Sequence, residues 1–174
     1  MPDSQQPQAG VDIMVLYFSE NPGLRVVDVG AGMGKWSKLT RHLVGGIDAV
    51  EAFQPYISRF SLTDLYDQVY NEDMRTFGFS GGYDVAILGD VLEHIEKPEA
   101  LIFIEKLKSC VGRIFLTIPI SLCIQDGSFY GNEFETHRYQ WADDEIQSEL
   151  GFTMLHSGPN ENGLVMIGTY EWHE

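Results

Sequence analysis

The chain has 174 residues, 44% of them hydrophobic and 12% aromatic, which predicts a folded globular protein rather than a disordered one. Its 26 acidic residues against 11 Lys and Arg give a net charge of −15, so we do not expect DNA or structured RNA as a substrate, because phosphate contacts dominate nucleic-acid affinity. No apolar run is long enough to span a bilayer, no Lys or Arg precedes Arg25, and only two cysteines are present, so we expect a cytoplasmic protein with no membrane association and no disulfide framework.

Strands and helices are predicted to alternate along most of the chain. Residues 1–10 are polar with two prolines and predict a disordered tail, followed by a single domain over residues 11–174. Short β-branched or apolar runs predict strands at 25–29, 47–50, 68–71, 83–88, 113–118, 152–156 and 164–170. Apolar residues at helical spacing predict helices at 11–19, 35–43, 55–66, 98–109 and 142–150.

The order of these elements predicts the fold class. Near-continuous apolar strands separated by helices are typical of a parallel sheet covered on both faces. The last two strands are separated only by a turn at residues 158–160, which predicts an antiparallel hairpin. We therefore predict a doubly wound, Rossmann-like α/β fold with a seven-stranded sheet, mostly parallel with an antiparallel C-terminal hairpin.

A glycine-rich segment follows the first predicted strand. The sequence VVDVGAGMG, residues 26–34, contains Asp28 at the strand end and then Gly30, Gly32 and Gly34. Glycines permit a tight turn and the close approach of a ligand to the backbone, and ligands of doubly wound folds bind at the carboxyl ends of the strands. Position 35 is lysine, so the G-x-G-x-x-G pattern of dinucleotide-binding proteins is absent. A purely structural strand-to-helix turn is the alternative.

This segment resembles the class I S-adenosylmethionine (SAM)-dependent methyltransferase family, and the resemblance extends over roughly residues 24–170. In that family, a strand that ends in an acid and continues as G-x-G-x-G forms the loop around the methionine end of SAM. The matching residues here are Asp28, Gly30, Ala31 and Gly32. The resemblance implies SAM as the cofactor.

The family also has acids after its second and third strands. The resemblance implies that Glu51 accepts hydrogen bonds from the ribose hydroxyls, with Asp48 as a rival that lies within the strand. It further implies that Asp73 accepts from the adenine amino group and that Met74 packs on the adenine ring. Glu72 takes the place of Asp73 if the register shifts by one residue.

Two further segments resemble the acceptor side of the family. Residues 89–95, GDVLEHI, resemble its D-x-L-E-H segment, which implies that Gly89 and Asp90 lie near SAM and that Glu93 and His94 lie near the acceptor. A helix-capping or core histidine is the alternative for His94. Residues 121–141 form a long, aromatic-rich loop. Its resemblance to the substrate-side loop rests on these residues: Glu135, His137 and Trp141.

We predict that Glu93, His94 and His137 face one cavity, and that Tyr130, Phe134 or Trp141 supplies its apolar wall. Histidine has a suitable pKa for a general base that deprotonates a hydroxyl, so both histidines and Glu93 are candidate catalytic residues. The alternative is that His137 caps the following helix and that His94 is solvated. Neither HExxH nor a paired Cys/His spacing is present, so we predict no metal site.

The predicted function is a transferase reaction, methylation of a small-molecule acceptor by SAM. An oxygen acceptor is favoured because the Asn/Asp-Pro-Pro-Tyr motif, typical of the family's amide and exocyclic-amine methylases, is absent after the fourth strand. The alternative from another class is a SAM-binding regulatory or scaffold domain without catalysis. A nicotinamide-dependent oxidoreductase is disfavoured by the glycine spacing and by the terminal hairpin.

Overall fold

The computed structural model describes residues 10–125, 131–160 and 162–174, so nearly all of the predicted N-terminal tail lies outside the described residues. A seven-stranded sheet forms its centre. The strands are β1 (Arg25–Val29), β2 (Gly46–Val50), β3 (Val69–Tyr70), β4 (Val85–Gly89), β5 (Arg113–Pro119), β6 (Thr153–Pro159) and β7 (Met166–His173). They are arranged in the order β3-β2-β1-β4-β5-β7-β6. The first five strands are parallel, and β7 lies antiparallel between β5 and β6, which confirms the predicted sheet.

Helices cover both faces of this sheet. They are α1 (Val11–Glu20), α2 (Lys35–Thr40), α3 (Gln54–Arg59), α4 (Leu62–Leu65), α5 (Lys97–Lys108) and α6 (Asp143–Ser148). On one face, Phe18 of α1 and Trp36 of α2 pack with Phe115 of β5 in one apolar cluster. On the other face, Phe103 of α5 and Ile146 of α6 belong to a second cluster. The sheet is therefore wound on both sides, as the alternation of strands and helices predicts. No helix within the described ranges is long and apolar enough to cross a membrane.

The predicted helix over residues 55–66 is wrong as one continuous element. The helix ends after Arg59, and a second short helix begins at Leu62. Between them Ser61 adopts a left-handed conformation with φ of 51°, which redirects the chain. This bend buries Leu62 completely and leaves Tyr66 only 4% exposed. Burial of these two side chains against the sheet offsets the cost of the strained residue.

Other boundaries differ from the sequence prediction by a few residues, and two of these differences are explained by side-chain hydrogen bonds. The helix predicted at 35–43 ends at Thr40, whose hydroxyl donates to the carbonyl oxygen of Trp36 at 2.7 Å. The turn predicted at 158–160 lies instead between Asn160 and Val165, where the Asn160 side chain accepts from the amides of Leu164 and Val165. Pro159 remains in β6, an edge strand, where the missing amide hydrogen is tolerated.

Candidate active site

A cleft of about 940 Å³ opens at the carboxyl ends of the central strands. It is lined by the segments that follow β1, β2, β3 and β4, together with residues from the segment after β5. Among the lining residues are all but one of those predicted to bind the cofactor: Gly30, Ala31, Gly32, Glu51, Asp73, Met74, Gly89 and Asp90. The remaining one, Asp28, does not line the cleft.

The glycine loop forms the floor of the cleft next to β1. Gly30 and Gly32 have φ angles of 71° and 52°, which lie in a backbone region that residues other than glycine rarely adopt. The amides of Gly30 and Ala31 donate to the carbonyl oxygen of Val50, at 2.8 and 3.3 Å. A Cβ at Gly30 would lie 2.5 Å from a methyl carbon of Val91. The loop therefore needs glycine both for its backbone conformation and for its packing.

Glu51 joins the end of β2 to this loop. Its carboxylate accepts from the amide of Gly32 at 2.8 Å and from the amide of Phe53 at 2.7 Å. The side chain is only 5% exposed, and this burial raises the pKa of Glu51. A carboxylate has about four acceptor positions, so about two remain for the hydroxyl groups of a ligand. The rival Asp48 is buried away from the cleft, where its carboxylate accepts from the hydroxyl of Tyr83 at 2.8 Å.

Asp28 lies behind the loop instead of in it. Its side chain is completely buried, and one carboxylate oxygen accepts a hydrogen bond from the hydroxyl of Tyr66. Alternate residues of a strand point to opposite faces, and the Asp28 carboxylate points into the packed layer below α2 and α4. Burial raises the pKa of Asp28 to about 7. Asp28 is thus part of the packed layer beneath the loop, where it is bonded to a tyrosine that the sequence analysis missed.

The segment after β3 closes one side of the cleft with Asp73 and Met74. The guanidinium of Arg75 contacts both carboxylate oxygens of Asp73 and lowers the pKa of that carboxyl. Arg75 also binds Glu99 at the first turn of α5, at 2.8 Å. Sequence reasoning did not identify Arg75, although its position two residues after an acid is compatible with a local ion pair. The pairing fixes the Asp73 carboxylate at the rim of the cleft.

The segment after β4 forms the opposite wall. A Cβ at Gly89 would lie 2.2 Å from Nε1 of Trp36, so only glycine fits beside that ring. Asp90 has a φ of 56°, and its amide donates to the carbonyl oxygen of Thr117 at 2.8 Å. This bend turns the Asp90 side chain into the cleft, next to Lys35. Enclosure by protein atoms raises the pKa of Asp90, and the Lys35 ammonium opposes that effect.

A smaller cavity of about 310 Å³ adjoins the cleft. Glu93, His94 and His137 all line it, and His94 also lines the main cleft. Glu93 and His94 belong to a 3-10 turn, Leu92–His94, that follows β4. The structure therefore brings the three predicted acceptor-side residues together at one place. Burial, together with the nearby ring of His137, lowers the pKa of His94.

Backbone hydrogen bonds hold the segment after β5 against this turn. The carbonyl oxygen of Glu93 accepts from the amides of Arg138 and Tyr139, at 2.7 and 3.2 Å. His137 does not cap α6, because Ala142 occupies the N-cap position, where its amide donates to the carboxylate of Glu145 at 3.0 Å. His137 points its Nδ1 at the carbonyl oxygen of Cys123, at 2.6 Å.

The predicted aromatic wall is only partly where we expected it. Phe134 lines the main cleft, whereas Trp141 is 1% exposed and belongs to the apolar core. Its indole N–H donates to the carbonyl oxygen of Leu92 at 3.3 Å. Of the three alternatives for the apolar wall, Trp141 is therefore wrong, because its ring is buried in the core with its one donor bonded. Tyr130 lies outside the described residues.

Comparison with solved structures finds similar folds among methyltransferases. Magnesium protoporphyrin IX methyltransferase (ChlM) from Synechocystis, solved with bound SAM, gives a TM-score of 0.68 and 21% identity over 92% of this chain and 76% of its own. The 1,6-didemethyltoxoflavin-N1-methyltransferase of Burkholderia thailandensis was solved with 1,6-didemethyltoxoflavin and S-adenosylhomocysteine. It gives a TM-score of 0.70 and 14% identity over 92% of this chain and 75% of its own. The N-methyltransferase NodS of Bradyrhizobium japonicum gives a TM-score of 0.61 and 13% identity over 93% of this chain and 94% of its own.

Sequence comparison with protein-family models and with curated proteins gives no match. The similarity is therefore one of three-dimensional structure, and it covers more than nine-tenths of this chain in each of the three superpositions. The strand order and the antiparallel C-terminal hairpin agree with it. We conclude that this chain has the fold of the class I SAM-dependent methyltransferases.

Proposed function

We propose that this protein is a SAM-dependent methyltransferase that acts on a small-molecule acceptor, with an oxygen acceptor favoured. One observation carries the proposal: a single cleft combines a left-handed glycine loop with the buried Glu51 carboxylate at the carboxyl ends of adjacent strands. The cleft volume of about 940 Å³ lies within the range of small-molecule sites. The second cavity beside it provides room for an acceptor.

The residues of the cleft fit SAM in chemical type. The loop backbone at Gly32 is open for the methionine end, because among the described residues only the carbonyl oxygen of Gly30, at 3.8 Å, lies within 4 Å of a Cβ built on Gly32. Glu51 offers acceptors to the ribose, and Asp73 with Met74 offers an acceptor and an apolar surface to the adenine. When bound, SAM supplies a methyl group activated by its sulfonium. The chain has to orient the acceptor toward that group and exclude water.

The acceptor class follows from the charge and from the neighbours. The net charge of −15 disfavours a polyanionic acceptor. The names of two similar structures specify small molecules, a magnesium protoporphyrin and a didemethyltoxoflavin. In this chain, His94, His137 and Glu93 border the adjoining cavity, where a hydroxyl could be held and activated. The charge and the neighbours support a small acceptor, whereas the preference for an oxygen nucleophile rests on the side chains beside this cavity and on the absent Asn/Asp-Pro-Pro-Tyr motif.

The proposal is tested by measuring formation of S-adenosylhomocysteine. Purified protein is incubated with SAM and with separate sets of small hydroxyl, carboxyl and amine compounds, and the demethylated product is quantified by mass spectrometry. We expect turnover with at least one oxygen-containing set. Tight SAM binding without product in any set would instead support the non-catalytic, regulatory function, and turnover confined to amines would overturn the preference for oxygen.

The substitution Glu51→Ala is expected to weaken SAM binding by about tenfold or more. A hydrogen bond to a charged group contributes about 1.5–3 kcal/mol, and the variant also removes the carboxylate that fixes the amide of Gly32. Calorimetric titration with SAM measures the change. Glu105→Ala is the matched control, because Glu105 is an exposed residue of α5 away from the cleft. Equal SAM affinity in a folded Glu51→Ala variant would contradict the assignment.

Thermal unfolding is expected to distinguish SAM from NAD. Only a ligand that binds the native state raises the unfolding temperature, and the stabilisation grows with its concentration relative to the dissociation constant. We expect SAM and S-adenosylhomocysteine to raise the unfolding temperature, and NAD to leave it unchanged at the same concentration. The reverse pattern would exclude the proposed function and favour a nicotinamide-dependent enzyme.

A further inference from the structure

Three potential metal ligands lie close together in the smaller cavity, two of them adjacent in the sequence and the third from the segment after β5. One donor atom each from Glu93, His94 and His137 lies within 4.8 Å of the other two. The two imidazole rings are in edge contact, with centroids 4.9 Å apart. Ligand atoms on a tetrahedral ion lie roughly 3.3–3.6 Å apart, given bonds of about 2.0–2.2 Å. Small rotations of the side chains are therefore sufficient to place all three on one ion.

The Glu93 carboxylate provides an independent indication of a ligand. The side chain is 2% exposed, and within the described part of the chain neither carboxylate oxygen has a hydrogen-bond partner. An isolated buried charge is costly, so a buried carboxylate has a cation as its partner, coordinates a metal ion or takes up a proton, and burial raises the pKa of Glu93. Glu93 lines the cavity together with the two histidines. A cation in this cavity would supply the missing partner.

The histidines are already oriented by their neighbours. Nδ1 of His137 lies 2.6 Å from the carbonyl oxygen of Cys123, and Nδ1 of His94 lies 3.4 Å from that of Thr136. A carbonyl oxygen only accepts, so Nδ1 of His137 carries the hydrogen and its Nε2 keeps a lone pair. Metal-bound histidines usually donate their second nitrogen to such a group, which fixes the tautomer and the ring orientation.

The charge of the cavity also favours a cation. Its described lining includes the carboxylates of Asp90, Glu93 and Glu135, against one ammonium from Lys35. When ionised, these carboxylates produce a negative potential that attracts a cation, and a bound cation in turn favours their ionised form.

We propose that Glu93, His94 and His137 bind one divalent transition-metal cation, with zinc as the best match. Two imidazoles and a carboxylate suit Zn²⁺, Mn²⁺ or Co²⁺, whereas Mg²⁺ and Ca²⁺ prefer oxygen ligands alone. Three protein ligands leave an open coordination position, as in catalytic zinc sites. The two histidines then act as ligands and not as general bases.

The role of this ion rests on the proposed function, whereas its binding does not. A hydroxyl oxygen on the open position loses its proton more readily, because a bound cation lowers the pKa of a coordinated oxygen. The proton passes to solvent water, and the oxygen lone pair forms the new bond to the methyl carbon. The carbon–sulfur bond of SAM breaks, and its electron pair remains on sulfur. The ion thus favours acceptors with a hydroxyl that can coordinate a metal.

The experiment is calorimetric titration of the metal-free full-length chain, prepared without a histidine tag, with ZnCl₂. We expect saturable binding of one ion per chain and no comparable binding of Mg²⁺. We expect three variants to bind zinc at least tenfold more weakly: His94→Ala, His137→Ala and Glu93→Gln. Removal of a residue that only hydrogen-bonds to a metal ligand already lowers metal affinity by about ten- to hundredfold, and these residues are the proposed ligands themselves. His42→Ala is the matched control, because His42 is exposed and lies outside both cavities.

Co²⁺ titration of the unmodified chain provides a measurement that does not depend on the folding of a variant. Visible ligand-field absorption of bound Co²⁺ that zinc then displaces is the expected result. Absence of saturable zinc and cobalt binding, or equal affinity in all the variants, would overturn the metal site and leave the proposed function intact. A chain that binds zinc but not SAM would retain the metal site and refute the proposed function.

Discussion

Replacing Trp141 with alanine is expected to lower the free energy of unfolding by about 3–5 kcal/mol, the range measured for large aromatic residues removed from protein cores. The side chain is 1% exposed, and it packs in the same apolar cluster as Leu92 and Ile146. The substitution leaves a large cavity and removes the hydrogen bond from the indole to the carbonyl oxygen of Leu92. Chemical denaturation monitored by circular dichroism measures the change.

The loss is expected to affect the acceptor side as well as stability. Trp141 ends the segment that carries His137, and its indole is bonded to the turn that carries His94. Trp141→Phe keeps most of the ring volume and is expected to have a much smaller effect. Trp172→Ala is the matched control, because Trp172 lies in β7 and is only partly buried. A Trp141→Ala variant that loses less than about 1 kcal/mol would show that the segment is not held in this way.

Asp28→Asn is expected to change how stability depends on pH. The ordinary pKa of aspartate is 3.8, and burial raises the pKa of folded Asp28 to about 7. Between these values the folded state retains a proton that the unfolded state has lost. The free energy of unfolding of the unmodified protein therefore falls relative to the variant as the pH rises from about 4 to about 7. The relative change is up to about 4 kcal/mol, since one pKa unit corresponds to about 1.36 kcal/mol.

Urea unfolding of both proteins at several pH values tests this expectation. The asparagine side chain of the variant has nearly the same volume as aspartate and can still accept the hydrogen bond from Tyr66. Asp67→Asn is a control of opposite sign, because the Arg41 guanidinium lowers the pKa of Asp67. The stability contributed by Asp67 is present above its ordinary pKa and is lost as the pH falls below it. A difference between the unmodified protein and Asp28→Asn that is independent of pH would contradict the raised pKa.

The fold class and the position of the site follow from local sequence patterns. Apolar strands that alternate with amphipathic helices restrict the chain to a doubly wound sheet, and a helix-free final pair predicts the hairpin. The glycine pattern at residues 30–34 and the acid after the second strand lie within a few residues of strand ends. In a parallel sheet, those ends meet at one edge. Gly30, Gly32 and Glu51 could therefore be predicted to lie together without knowledge of long-range packing.

Other features depend on packing between distant segments, which periodicity does not encode. The break at Ser61 follows from the burial of Leu62 and Tyr66, and that same burial places a tyrosine on Asp28. A sequence pattern cannot distinguish an acid that lines a cleft from one that supports it from behind. The choice depends on which face of the strand the neighbouring helices cover.

The residues on the acceptor side also differ in whether local sequence patterns or long-range packing determine their positions. The sequence indicated that His94 and His137 belong to the same region, because both follow strands whose ends lie at one edge of the sheet. Tertiary structure alone decided that Trp141 is a core residue, and that Glu93 is buried beside both histidines without a partner among the described residues. Hydrogen bonds between the turn after β4 and the segment after β5 fix that arrangement. They join residues that are more than 40 positions apart in the sequence. Local propensity acts over one or two turns of chain, so contacts at that separation emerge only when the sheet assembles.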